Sequence, residues 1–181
     1  MIGIPLGWAY SNFGEWVLHR YVLHGLGKHR DSVWSFHWHE HHQKSRRHDM
    51  VDDQYMRSLW TWSAKTKELL GLAALAVAHA PLFPVAPFFV STVWASAVNY
   101  YLVHRRAHLD PAWARQHVPW HYDHHMGRNQ NANWCVTHPF FDNLMGTRRE
   151  FLGVQPPAPV EDLAAAEPVP LAVAATPLSV A

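Results

Sequence analysis

Apolar residues along this chain are concentrated in two stretches that flank a polar, aromatic segment. Residues 2–24 contain one acidic side chain, Glu15, before Arg20, and are long enough for one helix across a bilayer. Residues 69–103 contain no Asp, Glu, Lys or Arg. The pattern predicts two membrane-spanning regions, with the polar residues 30–53 at a water interface between them.

Three prolines divide the second apolar stretch. Pro81, Pro84 and Pro87 each lack a backbone donor, and each disfavours helix in the residue before it. We therefore predict helices over residues 58–80 and 88–108, joined by a tight turn. Together with the first stretch, the expected fold is all-α, an integral membrane helical bundle of about three membrane helices.

A hairpin buried in a soluble all-α core is the alternative interpretation, and the mean hydropathy of −0.21 agrees with it. The histidines and polar segments lower that mean, however, whereas the local charge-free stretch governs insertion. Cations flank the apolar stretches at Arg20, Lys65, Lys67, Arg105 and Arg106. The positive-inside rule puts these flanks on the cytoplasmic face. The predicted location is therefore the membrane, with the histidine clusters on its cytoplasmic face.

The last segment, residues 154–181, is mostly Pro, Ala and Val and has no helical or strand periodicity. Its repeated prolines forbid a long helix. We predict a disordered Pro/Ala-rich tail that follows a single domain over residues 1–153.

Composition and charge narrow the possible functions. Lys and Arg number 15 and Asp and Glu 14, so the formal charge is +1 and no basic stripe is available for a phosphate backbone. Nucleic acid is therefore not an expected partner. Cys135 is the only cysteine, which excludes an intramolecular disulfide framework and any zinc module built on cysteines.

The sixteen histidines are the chemically distinctive feature, and most of them fall in four clusters. The ligand-spaced pairs and stripes are His19 and His24; His37, His41 and His42; His104 and His108; and His117, His121, His124 and His125. Spacings of four residues place side chains on one helix face, whereas the spacing of five in the first cluster suits convergence only where the helix loosens. Protonated imidazoles at these spacings would repel each other, and neutral ones would need many buried partners. A shared metal cation is the simplest explanation.

The types and spacing of the candidate ligands exclude several metal sites known from soluble proteins. The His-Glu-x-x-His zinc helix is absent because position 43 is Gln, and the paired Glu-x-x-His motifs of ferritin-like bundles are absent as well. The number of imidazoles exceeds what one ion accepts, so two metal ions are implied. Imidazole ligation suits iron, zinc, copper or nickel, and the residues alone leave the choice open.

The ordered histidine boxes resemble the fatty acid hydroxylase/sterol desaturase superfamily of membrane di-iron oxygenases. They are HRYVLHG at 19–25, HWHEHH at 37–42, HRRAH at 104–108 and HYDHH at 121–125, followed by FFDNLMGT at 140–147. The first box is also similar to that of bacterial carotene ring hydroxylases. The second box has three residues, rather than the usual two, before its His-His pair, which leaves His37 and His39 as alternative ligands. About three membrane helices fit the sequence, where many relatives have four.

The resemblance implies a cofactor, a reaction and a set of partners. Two iron ions would activate O2, a co-substrate, to hydroxylate or desaturate a membrane lipid, either fatty acyl or sterol-like, with a carotenoid ring as the alternative substrate and zinc as a possible substitute metal. No His-Pro-Gly-Gly heme segment occurs in the chain, so a separate electron-transfer protein of ferredoxin or cytochrome type would supply electrons. The implied iron ligands are His19, His24, His37, His41, His42, His104, His108, His121, His124 and His125.

Four acidic residues are candidate hydrogen-bond partners of the histidine ligands. Their carboxyl groups could accept from the imidazole N–H groups of the ligands, and surface ion pairing is their alternative role. The four residues are Glu15, Glu40, Asp123 and Asp142.

The competing functional class is a membrane protein that binds metal but catalyses no reaction. Such a protein should place ligands near the bilayer midplane, where His79 is the one candidate.

Overall fold

Long helices frame the molecule, and their ends are set by prolines and polar residues. The computed structural model describes residues 2–151, whose regular secondary structure is entirely helical and includes no strand. The three long α-helices are α1 (Gly3–Val17), α3 (Ala64–His79) and α4 (Pro87–Leu109). The four shorter ones are α2 (Gln43–Arg47), α5 (Pro111–His117), α6 (Pro119–Met126) and α7 (Phe140–Leu144).

The hairpin predicted from the three prolines is confirmed. Helix α3 ends at His79, a 3-10 turn covers Ala80–Leu82, and α4 begins with Pro87, whose missing N–H is not needed in a first helical turn. Helix α3 begins six residues later than predicted, at Ala64 rather than at residue 58, because the residues before it form bends and turns. Local backbone chemistry therefore determined this part of the fold.

Two π-helices interrupt the α-helical pattern. The first π-helix, Leu18–Gly25, continues directly from α1, and the second π-helix, His37–His42, leads into α2. In a π-helix the hydrogen bond joins residues five apart, so side chains at this spacing come close to the same direction. Both π-helices consist largely of the histidine boxes.

Helices α1 and α4 approach each other closely at a glycine. A Cβ atom at Gly7 would lie 2.8 Å from the Cβ of Thr92 and 2.9 Å from the carbonyl oxygen of Phe89. Only a residue without a side chain fits this contact. The close packing fixes the position of the first π-helix relative to the end of α4 that carries His104 and His108.

The predicted integral membrane bundle is wrong, and so is the predicted location in the membrane. Among residues 2–151 no helix has both the length and the apolar character that a membrane crossing requires. Helices α1 and α3 have 15 and 16 residues, which gives about 24 Å or less against a hydrocarbon core of about 30 Å. Helix α4 has 23 residues, but Ser91, Thr92, Ser96 and Asn99 lower its hydropathy. An absence of charge is therefore not equivalent to a continuous apolar span.

The all-helical part of the prediction is confirmed for the described residues. The predicted disordered tail over residues 154–181 lies outside them.

Candidate metal centre

The first π-helix brings its two histidines together. His19 and His24 are five residues apart, and their ring centroids lie 5.0 Å from each other. The loosened helix predicted from this spacing is the π-helix itself. Both rings are buried.

The second π-helix divides its histidines between two groups. His37 and His42, five residues apart, face the same group as His19, and their Nε2 atoms are 3.2 Å apart. His41 faces the other group. His37 and His41 lie close together, as their spacing of four predicts, with ring centroids 5.2 Å apart. They nevertheless belong to different groups, so proximity along one helix did not place them in one site.

Helices α4 and α6 supply the remaining histidines of the two groups. His104 and His108 are one turn apart in α4, and their Nε2 atoms lie 3.2 Å apart, as the spacing of four predicts. In α6, the adjacent His124 and His125 point to different groups. His121 lies beside the second group, with its Nε2 atom 3.3 Å from that of His108.

The histidines thus form two buried groups that could each hold a metal ion. We name them site A and site B. In each site the candidate ligand atoms lie within 4.8 Å of one another. Site A consists of His19, His24, His37, His42 and His124, and site B of His41, His104, His108 and His125.

All ten histidines of the predicted ligand set, including His121, are 3% exposed or less. Their assignment as ligands stays a prediction.

Backbone carbonyls orient three of these rings. Nδ1–H of His19 donates to the carbonyl oxygen of Trp134 at 2.6 Å, and Nδ1–H of His124 donates to that of Ala132 at the same distance. Nδ1–H of His108 donates to the carbonyl oxygen of Met50 at 2.8 Å. A carbonyl can only accept, so each neutral ring carries its proton on Nδ1 and presents an Nε2 lone pair to the site.

Two carboxylates orient rings of site B in the same way. Nδ1–H of His41 donates to Asp52 at 2.9 Å, and Nδ1–H of His104 donates to Glu68 at 2.8 Å. Tyr55 also donates its hydroxyl proton to Glu68. Burial alone would raise the pKa of Asp52, but the hydrogen bond from His41 lowers it. Burial raises the pKa of Glu68 to about 8.

The facing Nε2 atoms show that the sites suit a cation. His104 and His108 have both used their Nδ1 protons, so lone pairs face each other across 3.2 Å. The same separation of about 3 Å recurs in site A, where Nε2 of His24 lies 3.0 Å from that of His42 and 3.1 Å from that of His124. Two ligand atoms bound to one ion at about 2.1 Å lie about 3.0 Å apart in octahedral geometry and about 3.4 Å apart in tetrahedral geometry. The donor atoms therefore fit a metal ion.

Protonation of the imidazoles cannot readily take the place of a metal ion near neutral pH. Burial lowers the pKa of His19 to about 4. Burial, followed by repulsion from neighbouring imidazoles, also lowers the pKa values of five further rings well below the usual value of 6.5, those of His37, His42, His104, His121 and His125. A metal cation satisfies these lone pairs without requiring an imidazolium.

The metal-free protein should lose stability as the pH falls from 6.5 toward 4. The unfolded chain protonates its histidines near 6.5, whereas His19 in the folded chain does so only near 4. Each such histidine lowers the free energy of unfolding by up to about 1.4 kcal/mol per pH unit. Glu15 and Glu68, whose pKa values burial raises to about 7 and about 8, act in the opposite sense. Two carboxyl groups are outnumbered by the site histidines, so the net effect is a loss.

Urea unfolding of chelator-treated protein at pH 7, 6 and 5 measures this slope. A His39→Ala variant, at a histidine outside both sites, should keep the slope unchanged. A free energy of unfolding that stays constant or rises toward pH 5 would contradict the expectation.

The four acidic residues predicted to support ligands have other contacts. Glu40 pairs with Lys67 at 2.9 Å, and Asp123 pairs with Arg148 at 2.8 Å. Asp142 accepts from the backbone N–H groups of Trp134 and Cys135, both at 2.8 Å. Glu15 accepts from the backbone N–H groups of Val136 and Thr137, both at 2.9 Å. Asp142 and Glu15 thus fix the segment whose Trp134 carbonyl orients His19.

Asp52 and Glu68, whose carboxyl groups do contact site histidines, were not among the residues predicted from the sequence. Glu68 is the last charged residue before the charge-free stretch. An acidic side chain at the border of an apolar helix needs a buried partner, so the position of Glu68 in the sequence indicated a buried contact. Asp52 lies between other acids and has no comparable indication.

His39 and His117 lie away from both sites. His39 projects away from site A and its Nε2 atom lies 3.0 Å from the carbonyl oxygen of Lys28. His117 ends α5, is exposed, and stacks on Trp113 with ring centroids 4.9 Å apart. The predicted stripe of His117, His121 and His125 is wrong because Pro119 starts a new helix.

An apolar cavity of about 770 Å³ opens onto both sites. It lies between α1, α3 and α4, and its lining includes Val17, Leu72, Val93 and Ala97. At one end it is bounded by His19 and His37 of site A and by His41 and His104 of site B. Tyr55, Glu68 and Tyr100 line the same end. A molecule in this cavity would contact the metal sites directly.

Replacement of Glu68 should weaken metal binding at site B. Glu68→Leu removes the acceptor that orients His104, and losses of ligand support lower metal affinity by about 10- to 100-fold. Glu68→Gln keeps an acceptor oxygen and should have a smaller effect. Competition with a chromogenic chelator measures the affinity.

Glu40→Gln is the matched control, since Glu40 pairs with Lys67 at the surface. Equal affinities for the Glu68→Leu variant and this control would show that Glu68 does not support the site.

Comparisons with models of known protein families, with curated proteins and with solved structures gave no match to this chain. The functional conclusion therefore depends on the residues and their geometry.

Proposed function

We propose that this protein is an O2-dependent di-iron oxidoreductase that hydroxylates or desaturates a lipid substrate. The observation that carries the proposal is the pair of buried all-histidine sites at one end of a large apolar cavity. A protein that only stores or carries metal has no need for such a cavity. The resemblance of the histidine boxes to the fatty acid hydroxylase/sterol desaturase superfamily supports iron as the metal.

The chain's residues supply binding and orientation. Iron, when bound by the ten histidines, would supply the reduction of O2 and the removal of hydrogen from an unactivated C–H bond. The Nδ1 hydrogen bonds of His19, His41, His104, His108 and His124 hold the rings in the metal-binding tautomer. The apolar cavity walls exclude water and align an apolar chain with its reacting carbon at the histidine end.

The reaction needs electrons from outside the chain. Oxidation of one C–H bond supplies two of the four electrons that O2 takes up, so two more, with two protons, must come from a donor. A separate ferredoxin- or cytochrome-type protein fits this need. The exposed Arg105, Arg106, Arg115 and Arg128 offer a cationic surface for an acidic donor.

The substrate is an apolar lipid, fatty acyl or sterol-like, with a carotenoid ring as the alternative. The cavity volume of about 770 Å³ accepts a molecule of this size class. Lipid profiles of cells with and without the protein would identify the product.

Iron content and O2 consumption test the proposal. Protein from iron-supplemented cells, analysed anaerobically by Mössbauer spectroscopy, should hold about two irons per chain, since the histidines exceed the needs of one ion. A His121→Ala, His125→Ala double variant removes a ligand of site B and its neighbour, so it should lose the iron of site B, and a reductant should support O2 uptake only in the parent protein. Zinc alone, with no iron retained and no O2 uptake, would instead identify a metal-binding protein without this chemistry.

A further inference from the structure

The end of the cavity remote from the metal sites carries polar side chains. Tyr10, Ser11 and His79 line the cavity. Helix α3 runs from Glu68, which contacts His104, to His79 at its last residue. Eleven residues of α-helix cover about 16 Å. The two polar ends of this apolar cavity are therefore separated by the length of an elongated lipid.

Hydrogen bonding leaves an acceptor available at this remote end. The Nδ1 atom of His79 lies 2.7 Å from the carbonyl oxygen of Leu75, so Nδ1 carries a proton and donates. In the neutral ring, Nε2 then accepts the hydroxyl proton of Tyr10, at 3.0 Å. Tyr10 is about half exposed, so the lone pairs of its oxygen are open to water or to another donor. A ligand hydroxyl can supply that donor.

Ser11 provides a second, independent indication of a polar ligand. Its Oγ atom is buried and has no hydrogen-bond partner among the described residues. A buried hydroxyl without a partner costs free energy, and a serine in a helix could otherwise bond the preceding turn. Ser11 and Tyr10 are adjacent in α1, and both line the cavity. Each can form a hydrogen bond with a ligand hydroxyl in the cavity.

We propose that the cavity recognises an elongated apolar molecule that carries a hydroxyl group, and that Tyr10 and Ser11 bind this hydroxyl. Tyr10 contacts His79, which lies about 16 Å along α3 from Glu68 at the metal-site end. Only the assignment of that other end as the site of oxidation rests on the proposed function. Recognition at the remote end thus determines which carbon of the chain reaches the metal sites.

The test compares 1-dodecanol with dodecane, two probes that differ by a single hydroxyl. Each is delivered to the full chain from cyclodextrin, and binding is followed by tryptophan fluorescence. The alcohol should bind about fivefold more tightly, the gain expected for one net hydrogen bond. The Tyr10→Phe and Ser11→Ala variants should each reduce this preference, and the double variant should abolish it.

Matched controls separate recognition from general effects. Tyr10→Phe keeps the ring that packs against Phe89 at 5.3 Å, so the fold should persist. Tyr21→Phe and Ser91→Ala make the same chemical changes at exposed residues away from the cavity lining and should leave the preference intact.

Three results would overturn the proposal: equal affinity of the parent protein for both probes, binding of neither, or an unchanged preference in the double variant. Binding needs no turnover. A chain that fails to take up iron but prefers the alcohol would therefore refute the proposed function and leave hydroxyl recognition standing.

Discussion

A His37→Ala variant should lose the metal of site A, whereas a His39→Ala variant should retain it. The two histidines lie in the same π-helix and differ by two positions, and the sequence alone is compatible with either as the ligand. The structure separates them. Nε2 of His37 lies 3.0 Å from that of His19 and 3.2 Å from that of His42, whereas His39 faces the carbonyl oxygen of Lys28.

The expected size of the effect follows from the position of His37. Loss of a residue that merely orients a ligand lowers affinity by about 10- to 100-fold, and loss of a ligand should exceed this. We expect metal content to fall from about two to about one ion per chain, and O2-dependent turnover to fall by more than about 100-fold. Metal analysis and O2 uptake with a chemical reductant measure the two effects.

His39→Ala controls for the removal of an imidazole from the same segment. Circular dichroism should show the same helix content in both variants. Loss of metal from the His39→Ala variant alone would assign His39 as the ligand and contradict the geometry of site A.

A Gly71→Leu variant should block the cavity while leaving the metal sites intact. Gly71 lines the cavity from α3, and a Cβ atom built there meets nothing within 4 Å. A leucine side chain would therefore enter open space rather than collide with the core. We expect kcat/KM to fall by about 100-fold or more, equivalent to about 2.7 kcal/mol of lost transition-state stabilisation.

The free energy of unfolding of the Gly71→Leu variant should change in the opposite direction from its activity. Leucine is a better helix former than glycine by about 0.8 kcal/mol, so the free energy of unfolding should rise slightly. A gain in stability with a loss of turnover cannot be attributed to misfolding. Metal content should match that of the parent protein, since Gly71 contacts neither site.

Two companion variants complete the experiment. Gly71→Ala adds one methyl group and should have an intermediate effect on kcat/KM. Ala73→Leu adds a larger side chain at an exposed position of the same helix, outside the cavity lining, and should leave turnover unchanged. Full activity of the Gly71→Leu variant, measured as product per bound iron, would show that substrate does not occupy this cavity.

The membrane prediction failed for a physical reason that the sequence contained. The charge-free stretch of residues 69–103 satisfies a rule about charge, but its prolines divide it into helices, and each must separately be long and apolar enough. Helix α3 is too short and α4 too polar. The length and hydropathy of each individual helix were the relevant quantities.

The sequence by itself determined the features that depend on local chemistry. Its prolines set the hairpin between α3 and α4, and the spacing of four placed His104 and His108 together. The excess of paired histidines indicated metal binding, and the buried groups could hold metal ions. The resemblance to di-iron oxygenases, and the iron and O2 chemistry that it implies, stay predictions.

Only the tertiary structure decided how the histidines divide between the two sites. His41 and His42 are neighbours in sequence but face different sites, because the π-helical register and the packing of α4 and α6 determine where each ring points. The partners that orient the rings are also distant in the chain, as in the hydrogen bond from His19 to the carbonyl oxygen of Trp134. Spacing along a chain specifies which side chains share a helix face. Contacts between segments more than a hundred residues apart depend on how the helices pack.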